Sequence, residues 1–587
     1  MTANDPVFTV AALRAGYLGG TLDPAGVLAL ARQRIGRDSD NPVWLHVASE
    51  TYLAGELQRL AALDPQTHPL WGIPFAVKDN IDVAGMPTTA ACPAFAYAAR
   101  ADAAVVAALR AAGAVVLGKT NLDQFATGLV GTRSPYGEVR NACLPEYISG
   151  GSSSGSAVAV ARGHVAFALG TDTAGSGRVP AALNGLVGVK PSRGLVSTRG
   201  VVPACRSLDC VSLFARDLAD VAAVFPLMRA YDALDPWARP FTLDATLPPV
   251  PVIGVPQAGQ LAFFGDDEAR ALFSATVTSL RERGVETREI DFRPFMDAAC
   301  LLYEGPWLAE RWLSVQPLPG TQPEALLPVT RAIIGGGEHL KTPDAFAAMY
   351  RLQALRREIE PLLAGITAIM TPTIGTPFTR AQIAEEPVRR NSELGYYTNF
   401  MNLLDLAALA MPAGQFGNGL PHGVTVFADH GADLKLQALA RRLFPETAGG
   451  GSVPDDVTRL DILVCGAHMS GLPLNTQLTE RGALFRETVR TAPLYRFWAL
   501  PGGPPFRPAM LRVAPGQEGG RIEAEIWSLP AARWGDFVQL IPSPLGIGTV
   551  VLEDSRTVKG FIGEGFAAAG AEDITALGSW RAFLARR

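Results

Sequence analysis

The sequence predicts an α/β protein, with a large domain of helices layered on a sheet followed by a smaller, strand-rich α+β domain. Three observations predict it. ADAAVVAALRAAGAVVLGKT, residues 101–120, runs from apolar residues at helical spacing into a β-branched strand and a turn, the unit from which helix-on-sheet layers are built. PETAGGGSVPDDVTR, 445–459, mixes Gly, Pro and charge without periodicity and reads as a linker. Beyond it, short apolar runs separated by turn residues replace the Ala-rich helices. The expected division is a domain over 1–445, a linker over 446–460 and a second domain over 461–587.

TLDPAGVLALARQRI (21–35) and TYLAGELQRLAAL (51–63) open the chain as helices. WGIPFAVKDNIDVAG (71–85) is a short apolar strand running into a polar turn. AVAVARGHVAFALG (157–170) is rich in small residues, which suits a tightly packed, buried helix. PVIGVPQ (251–257) reads as a strand and DDEARALFSATVTSLRERGV (266–285) as an amphipathic helix. AGITAIMTPTIGTP (364–377), ALAMPAG (408–414) and HGVTVFADH (422–430) read as later strands of the same sheet. In the second domain LDILVCGAH, PAMLRVAP, RIEAEIWSL, DFVQLI and GTVVLED are expected as strands, and SWRAFLARR as a helix.

Composition narrows the function. Of 587 residues, 48% are hydrophobic and 18% charged, which describes a globular chain. A net charge of −5 and the absence of a basic, aromatic stripe give no reason to expect nucleic acid. Six scattered cysteines form no CxxC pair, so neither metal, cofactor nor disulfide framework is expected. No apolar run of membrane-spanning length and no secretory signal is apparent, so a cytoplasmic protein without membrane association is the expectation.

SGGSSSGS, 149–156, has the composition of a flexible tether, yet the small-residue segment follows it at once. A second Gly/Ser loop, GTDTAGSGR (170–178), places Ser176 24 residues after Ser152. Two such loops flanking a buried segment can bring two hydroxyls together. Successive amides of Thr173, Ala174, Gly175 and Ser176 can converge as an oxyanion hole. No histidine sits in a recognisable triad motif, and no G-x-S-x-G elbow is present. The available base is Lys78, at the end of the apolar run IPFAV, where burial would leave the amine neutral. Taken singly, Lys78 beside Asp79 fits a surface charge and Ser152 a linker serine. It is their joint occurrence that points to catalysis.

GGSSSGSAVAVARG…ALGTDTAGSGRVPAALNGLVGVKPS (150–192), with IPFAVKDNIDVAGMPTT and VVLGKTNLDQFA upstream, closely resembles the amidase signature family. Ser154 and Ala174 stand where the usual motif has glycines. The resemblance implies a large domain around a mixed, twisted sheet covered by helices. It implies Ser176 as nucleophile, Ser152 as relay and Lys78 as base, with residues 173–176 as the oxyanion hole. QFATGLVGTRSPYG, VPACRSLDCVSLFARD, YEGPWLAERW, YTNFMNLLDLAALAMPAG and the tail from CGAHMSGLPLNTQLTERGA resemble the allophanate hydrolases within that family. This implies hydrolysis of allophanate, the carboxylated form of urea, to ammonia and carbon dioxide. It also implies a homodimer and functional coupling to a urea-carboxylating enzyme.

Such a substrate is a small anion. Tyr303 and Arg311, eight residues apart along one expected helical face, match the positions that hold it, and Arg offers a planar fork for a carboxylate. Gly128 and Arg133 are further candidates to line the pocket. In the second domain His468 matches a residue connected with decarboxylating the first product; a purely scaffolding domain is the competing reading. The rival functions are a broad-specificity small-amide amidase and an amidotransferase-type subunit that acts only with a partner.

Overall fold

The structure is a computed structural model and describes residues 7–316, 318–447, 459–479, 481, 483–514 and 516–586. The chain divides into two compact units, 1–453 and 454–587. Of the expected linker 446–460, residues 448–458 lie outside the described residues, and Arg459 already belongs to the first strand of the second unit.

The first unit is built on eleven strands. They are β1 (Trp44–Val47), β2 (Pro74–Lys78), β3 (Val115–Thr120), β4 (Phe167–Asp172), β5 (Val187–Lys190), β6 (Cys210–Ala215), β7 (Val252–Pro256), β8 (Glu286–Ile290), β9 (Ala368–Pro372), β10 (Ala407–Gln415) and β11 (Pro421–Ala428). They pair in the order β1-β3-β2-β4-β6-β5-β10-β11-β9-β7-β8. The sheet is mixed: β2 runs parallel to both β3 and β4, whereas β4 to β6 and β6 to β5 are antiparallel. Strands β2, β3 and β4 are buried along their whole length, as near-continuous apolar runs covered on both faces should be.

The segment expected as one helix over 157–170 is in fact two elements. Helix α1 (Ser154–Ala161) ends at Arg162–Gly163, where Gly163 has a positive φ, and the chain returns as β4. Gly163 turns the chain at a position that side-chain-bearing residues adopt with difficulty. Helix α1 is buried from Ser154 to Val160 and packs on β4, β2 and β3. Its Ser/Gly/Ala/Val surface lets it approach the sheet closely. A short second helix, α2 (Val179–Leu183), follows the turn that carries Ser176 and packs on β11 and β10.

In the second unit a five-stranded sheet has the order β13-β16-β12-β18-β17, from β12 (Arg459–Val464), β13 (Leu484–Arg490), β16 (Glu523–Pro530), β17 (Leu545–Val551) and β18 (Thr557–Gly563). Strands β14 (Tyr495–Ala499), β15 (Pro508–Arg512) and β19 (Glu572–Asp573) form a smaller sheet. DFVQLI (536–541), expected as a strand, instead supplies the end of a short helix, Trp534–Val538, and the turn after it. There Phe537 anchors the helix in the core while its neighbours face outward. One buried apolar residue per turn, not alternation, is the pattern that decides it. Among the described residues no helix is long and apolar enough to cross a membrane.

Candidate active site

The Gly/Ser tract is buried, not slack: Ser149, Ser152, Ser153, Ser154 and Ser156 have no exposed surface. Hydrogen bonds hold it. Ser156 Oγ donates to Leu169 O at 2.8 Å and Ser153 Oγ to Thr171 O at 3.1 Å, fastening α1 to β4. Asp123 N donates to Ser152 O at 3.0 Å. The peptide Gly151–Ser152 is cis. Only glycine fits at 151, because a Cβ there would run into Asp123 Oδ2. That carboxylate is itself held by the amides of Val130, Gly131 and Arg133 at 2.9–3.2 Å.

Strand β2 delivers Lys78 to this tract. Its Nζ donates to Ser152 Oγ at 2.8 Å and to Thr171 Oγ1 at 2.8 Å, and the side chain is fully buried. Burial pushes its amine down to about 7; the charges of Asp123, Asp209 and Asp172 oppose the fall and Arg311 adds to it. Desolvation disfavours the ammonium form, so a large share of the amine is neutral near pH 7. The adjacent Asp79 is occupied by Lys119, whose Nζ lies 3.0 Å from Oδ1. It therefore leaves Lys78 unneutralised.

Ser176 lies on the turn after β4, 3% exposed. The turn is fastened by Asp172, whose carboxylate accepts from Gly175 N at 2.9 Å, Gly177 N at 3.0 Å and two nitrogens of Arg178 at 2.9 Å. Burial alone would raise Asp172, yet Arg178 holds it below the ordinary carboxylate range. Gly175 has φ +132°, and a Cβ there would meet Thr398 Oγ1 at 2.5 Å. These bonds correct one expectation: the amide of Gly175 points at Asp172 and is not free for an oxyanion. The amides of Thr173, Ala174 and Ser176 have no partner among the described residues. No hydrogen bond joins Ser176 Oγ to Ser152 Oγ among the described residues, so of the expected relay the Lys78–Ser152 link alone is formed. Links of this kind commonly tighten only when substrate is bound.

Tyr303 and Arg311 do not share one helix. Tyr303 is in α3 (Arg293–Glu304) and Arg311 in α4 (Trp307–Val315), with Gly305 and Pro306 breaking the chain between them. Proline cannot continue a helix from its preceding turn. The two side chains nevertheless meet, the guanidinium carbon lying 5.6 Å from the tyrosine ring centroid. Arg311 is 2% exposed; NH1 donates to Thr127 Oγ1 at 3.2 Å, and Nε is buried without a hydrogen-bond partner. No carboxylate among the described residues lies within ion-pairing distance of it.

Arg133, expected in the pocket, serves the loop instead. Its NH1 donates to Thr127 O at 3.0 Å and its NH2 to Pro387 O at 2.6 Å. The clamp is needed because Phe125 and Ala126 both have positive φ (50° and 52°), a strained conformation that needs support from its surroundings. Gly128, at φ +156°, packs against Asp123 and Arg133, and a Cβ there would lie 2.6 Å from Asp123 Oδ2. Thr171, Thr127 and Asp209 are site residues that sequence reasoning missed. Thr171 lies inside the quoted GTDTAGSGR loop, five residues before Ser176, which is the signal that could have found it.

In the second unit His468 lines a cavity with Cys465, Gln477, Arg507 and Phe561. Its Nε2 is 2.9 Å from Gln477 Oε1, and its ring stacks on Phe561 at 5.0 Å. Burial keeps its pKa below the ordinary histidine value. Arg507 Nε is buried without a hydrogen-bond partner.

Residues 37–436 match the family described as Amidase, and 460–585 the Allophanate hydrolase C-terminal domain. The chain belongs to the amidase family. Among solved amidases it is similar to the allophanate hydrolase of Kluyveromyces lactis, with a TM-score of 0.81, 39% identity and 99% of each chain covered. It is 43% identical over 569 residues to the urea amidolyase of Saccharomyces cerevisiae, covering 92% of this chain and 31% of that one. It is 42% identical over 578 residues to the urea amidolyase of Lachancea kluyveri, covering 93% of this chain and 31% of that one. The chain thus spans about a third of the length of the urea amidolyases it matches.

Proposed function

We propose that this amidase hydrolyses allophanate through a covalent Ser176 intermediate. The observation that carries the reading is Arg311: a buried guanidinium with an unpartnered Nε and, among the described residues, no carboxylate within ion-pairing distance, whose charge is felt at Lys78. A buried charge left unpaired is costly. A small anionic substrate would pair it, and a planar carboxylate matches its fork. A neutral amide would not, which disfavours the broad-specificity reading.

Neutral Lys78 takes the proton of Ser152 as Ser152 takes that of Ser176, and Ser176 Oγ bonds to the terminal amide carbon. The oxyanion is met by the amides of Thr173, Ala174 and Ser176. The C–N bond breaks, the proton returns through Ser152 to the leaving nitrogen, and ammonia departs. Water, deprotonated along the same path, then frees the acyl group. The product carries two carboxylates on one nitrogen. Its loss of carbon dioxide fits the second cavity, where Arg507 would bind a carboxylate beside neutral His468. Since allophanate is carboxylated urea, a urea-carboxylating enzyme must supply it. The likeness to urea amidolyases and to an allophanate hydrolase supports this placement.

The test is ammonia release by the purified chain from allophanate, acetamide and malonamide. Selective cleavage of allophanate is expected. Equal rates on all three would replace the reading with a general amidase, and activity only with an added partner would replace it with an amidotransferase-type subunit.

A further inference from the structure

Asp209 belongs to none of the roles above, yet it touches the machinery on two sides. It stands at the start of β6, 7% exposed. Its carboxylate accepts a hydrogen bond from the hydroxyl of Thr173, from Ala204 N at 2.8 Å and from Cys205 N at 3.2 Å. Thr173 heads the turn that carries Ser176 and contributes an amide expected to face the oxyanion. The segment 204–209 is in turn braced against α4. Ser207 Oγ donates to Glu310 Oε2 at 2.6 Å, Ser314 Oγ to Ala204 O at 3.3 Å and Cys205 Sγ to Trp307 O at 3.5 Å.

We infer that Asp209 is a positioning residue for amide cleavage: it fixes the oxyanion turn through the Thr173 hydroxyl, and when ionised it presents a negative charge to Lys78. The inference rests on the Ser176–Ser152–Lys78 reading.

A carboxylate buried without an ion pair is an expensive way to hold a loop. An asparagine would satisfy part of the same network at lower desolvation cost. Burial pushes Asp209 up to about 6, with Thr173, the Cys205 and Ala204 amides and Arg311 opposing, so the group is mostly ionised at neutral pH. The charges felt by Lys78 are Asp123, Asp209 and Asp172 on one side of the balance and Arg311 on the other. Asp172 is paired with Arg178 and Asp123 is saturated by three amides. Among the described residues Asp209 has no salt-bridge partner, and it also lines a cleft with Arg199, Arg206 and Asp235.

Thr173→Val and Asp209→Asn separate the two roles. Thr173→Val removes the tether and keeps the charge. It is expected to lower kcat at least about tenfold, the effect of losing a hydrogen bond to a charged group, with the acid limb of kcat/KM unmoved. Asp209→Asn removes the charge, while its amide oxygen can still accept from the Thr173 hydroxyl. It is expected to move the acid limb to lower pH by at least about a twofold change in proton concentration, because an ammonium at Lys78 loses a favourable charge, with a smaller loss of kcat than Thr173→Val. The double variant should show both effects. An acid limb in Asp209→Asn that matches wild type overturns the charge role; kcat within about twofold of wild type in Thr173→Val overturns the tether. Where Asp209→Asn fails to fold, Thr173→Val decides the tether and the acid limb of Asp209→Ala decides the charge. If wild type cleaves acetamide but not allophanate, the substrate reading fails and the same comparison on acetamide still decides this one.

Discussion

The pH dependence of the amidase step follows from Lys78. Its amine falls from 10.5 to about 7 because it is sealed from water beside two hydroxyls and no carboxylate. At pH 7 roughly half of it is neutral, against roughly one in three thousand for an exposed lysine, so burial raises the population of usable base about 10³-fold. The base must be neutral to act, so kcat/KM is expected to rise with pH and level off above about 7. Lys78→Arg keeps the size and the charge but cannot be deprotonated. It is expected to lose at least about 10²-fold in kcat at every pH, the usual size of a lost general base. Stability also rises with pH, over a higher range. A lysine whose folded pKa lies below its unfolded value binds fewer protons when folded between 7 and 10.5. Its destabilisation is therefore complete below about 7 and relieved as pH climbs toward 10.5. Lys78→Met should raise Tm at pH 6 while abolishing turnover. Steady-state kinetics from pH 5.5 to 9.5, with melting curves of the same samples, check both. Activity independent of pH between 6 and 8, or Lys78→Arg within tenfold of wild type, would refute the assignment of base.

Arg311→Met should raise KM for allophanate by about 10²-fold, the worth of a charge-assisted pair, and leave acetamide unaffected; substrate titrations of both decide it. Gly175→Ala should cut kcat by about 10²-fold, since its Cβ would lie 2.5 Å from Thr398 Oγ1 and push the nucleophile turn out of place; single-turnover measurements would show the loss in chemistry. His468→Ala should leave the first ammonia release near wild type and slow carbon dioxide release, measured in parallel on one sample.

Much of this was legible in the sequence. Lys78, Ser152 and Ser176 announce themselves because an apolar run ending in lysine and two Gly/Ser loops around a small-residue segment are improbable together. The strands at 252–256, 368–372 and 407–415 follow from apolar runs bounded by Gly and Pro. What escaped depends on contacts distant in sequence. Nothing local in VGTR says that Arg133 clamps Thr127 and Pro387, nor that Asp209 meets Thr173 across 36 residues. The amide of Gly175 is turned by a carboxylate three residues earlier, a choice of backbone rotation that composition does not record. The break between Tyr303 and Arg311 was readable at Gly305–Pro306, where helical spacing was followed past a residue that forbids it.

Arg311 makes occupancy and survival a single matter. With nothing bound, the folded chain holds a sealed-in cation that a passing dianion or carboxylate would quieten. Whatever anion settles there favours the native state over the opened one. Were the proposed substrate to pair with Arg311, resistance to proteolysis would rise with the supply of that substrate.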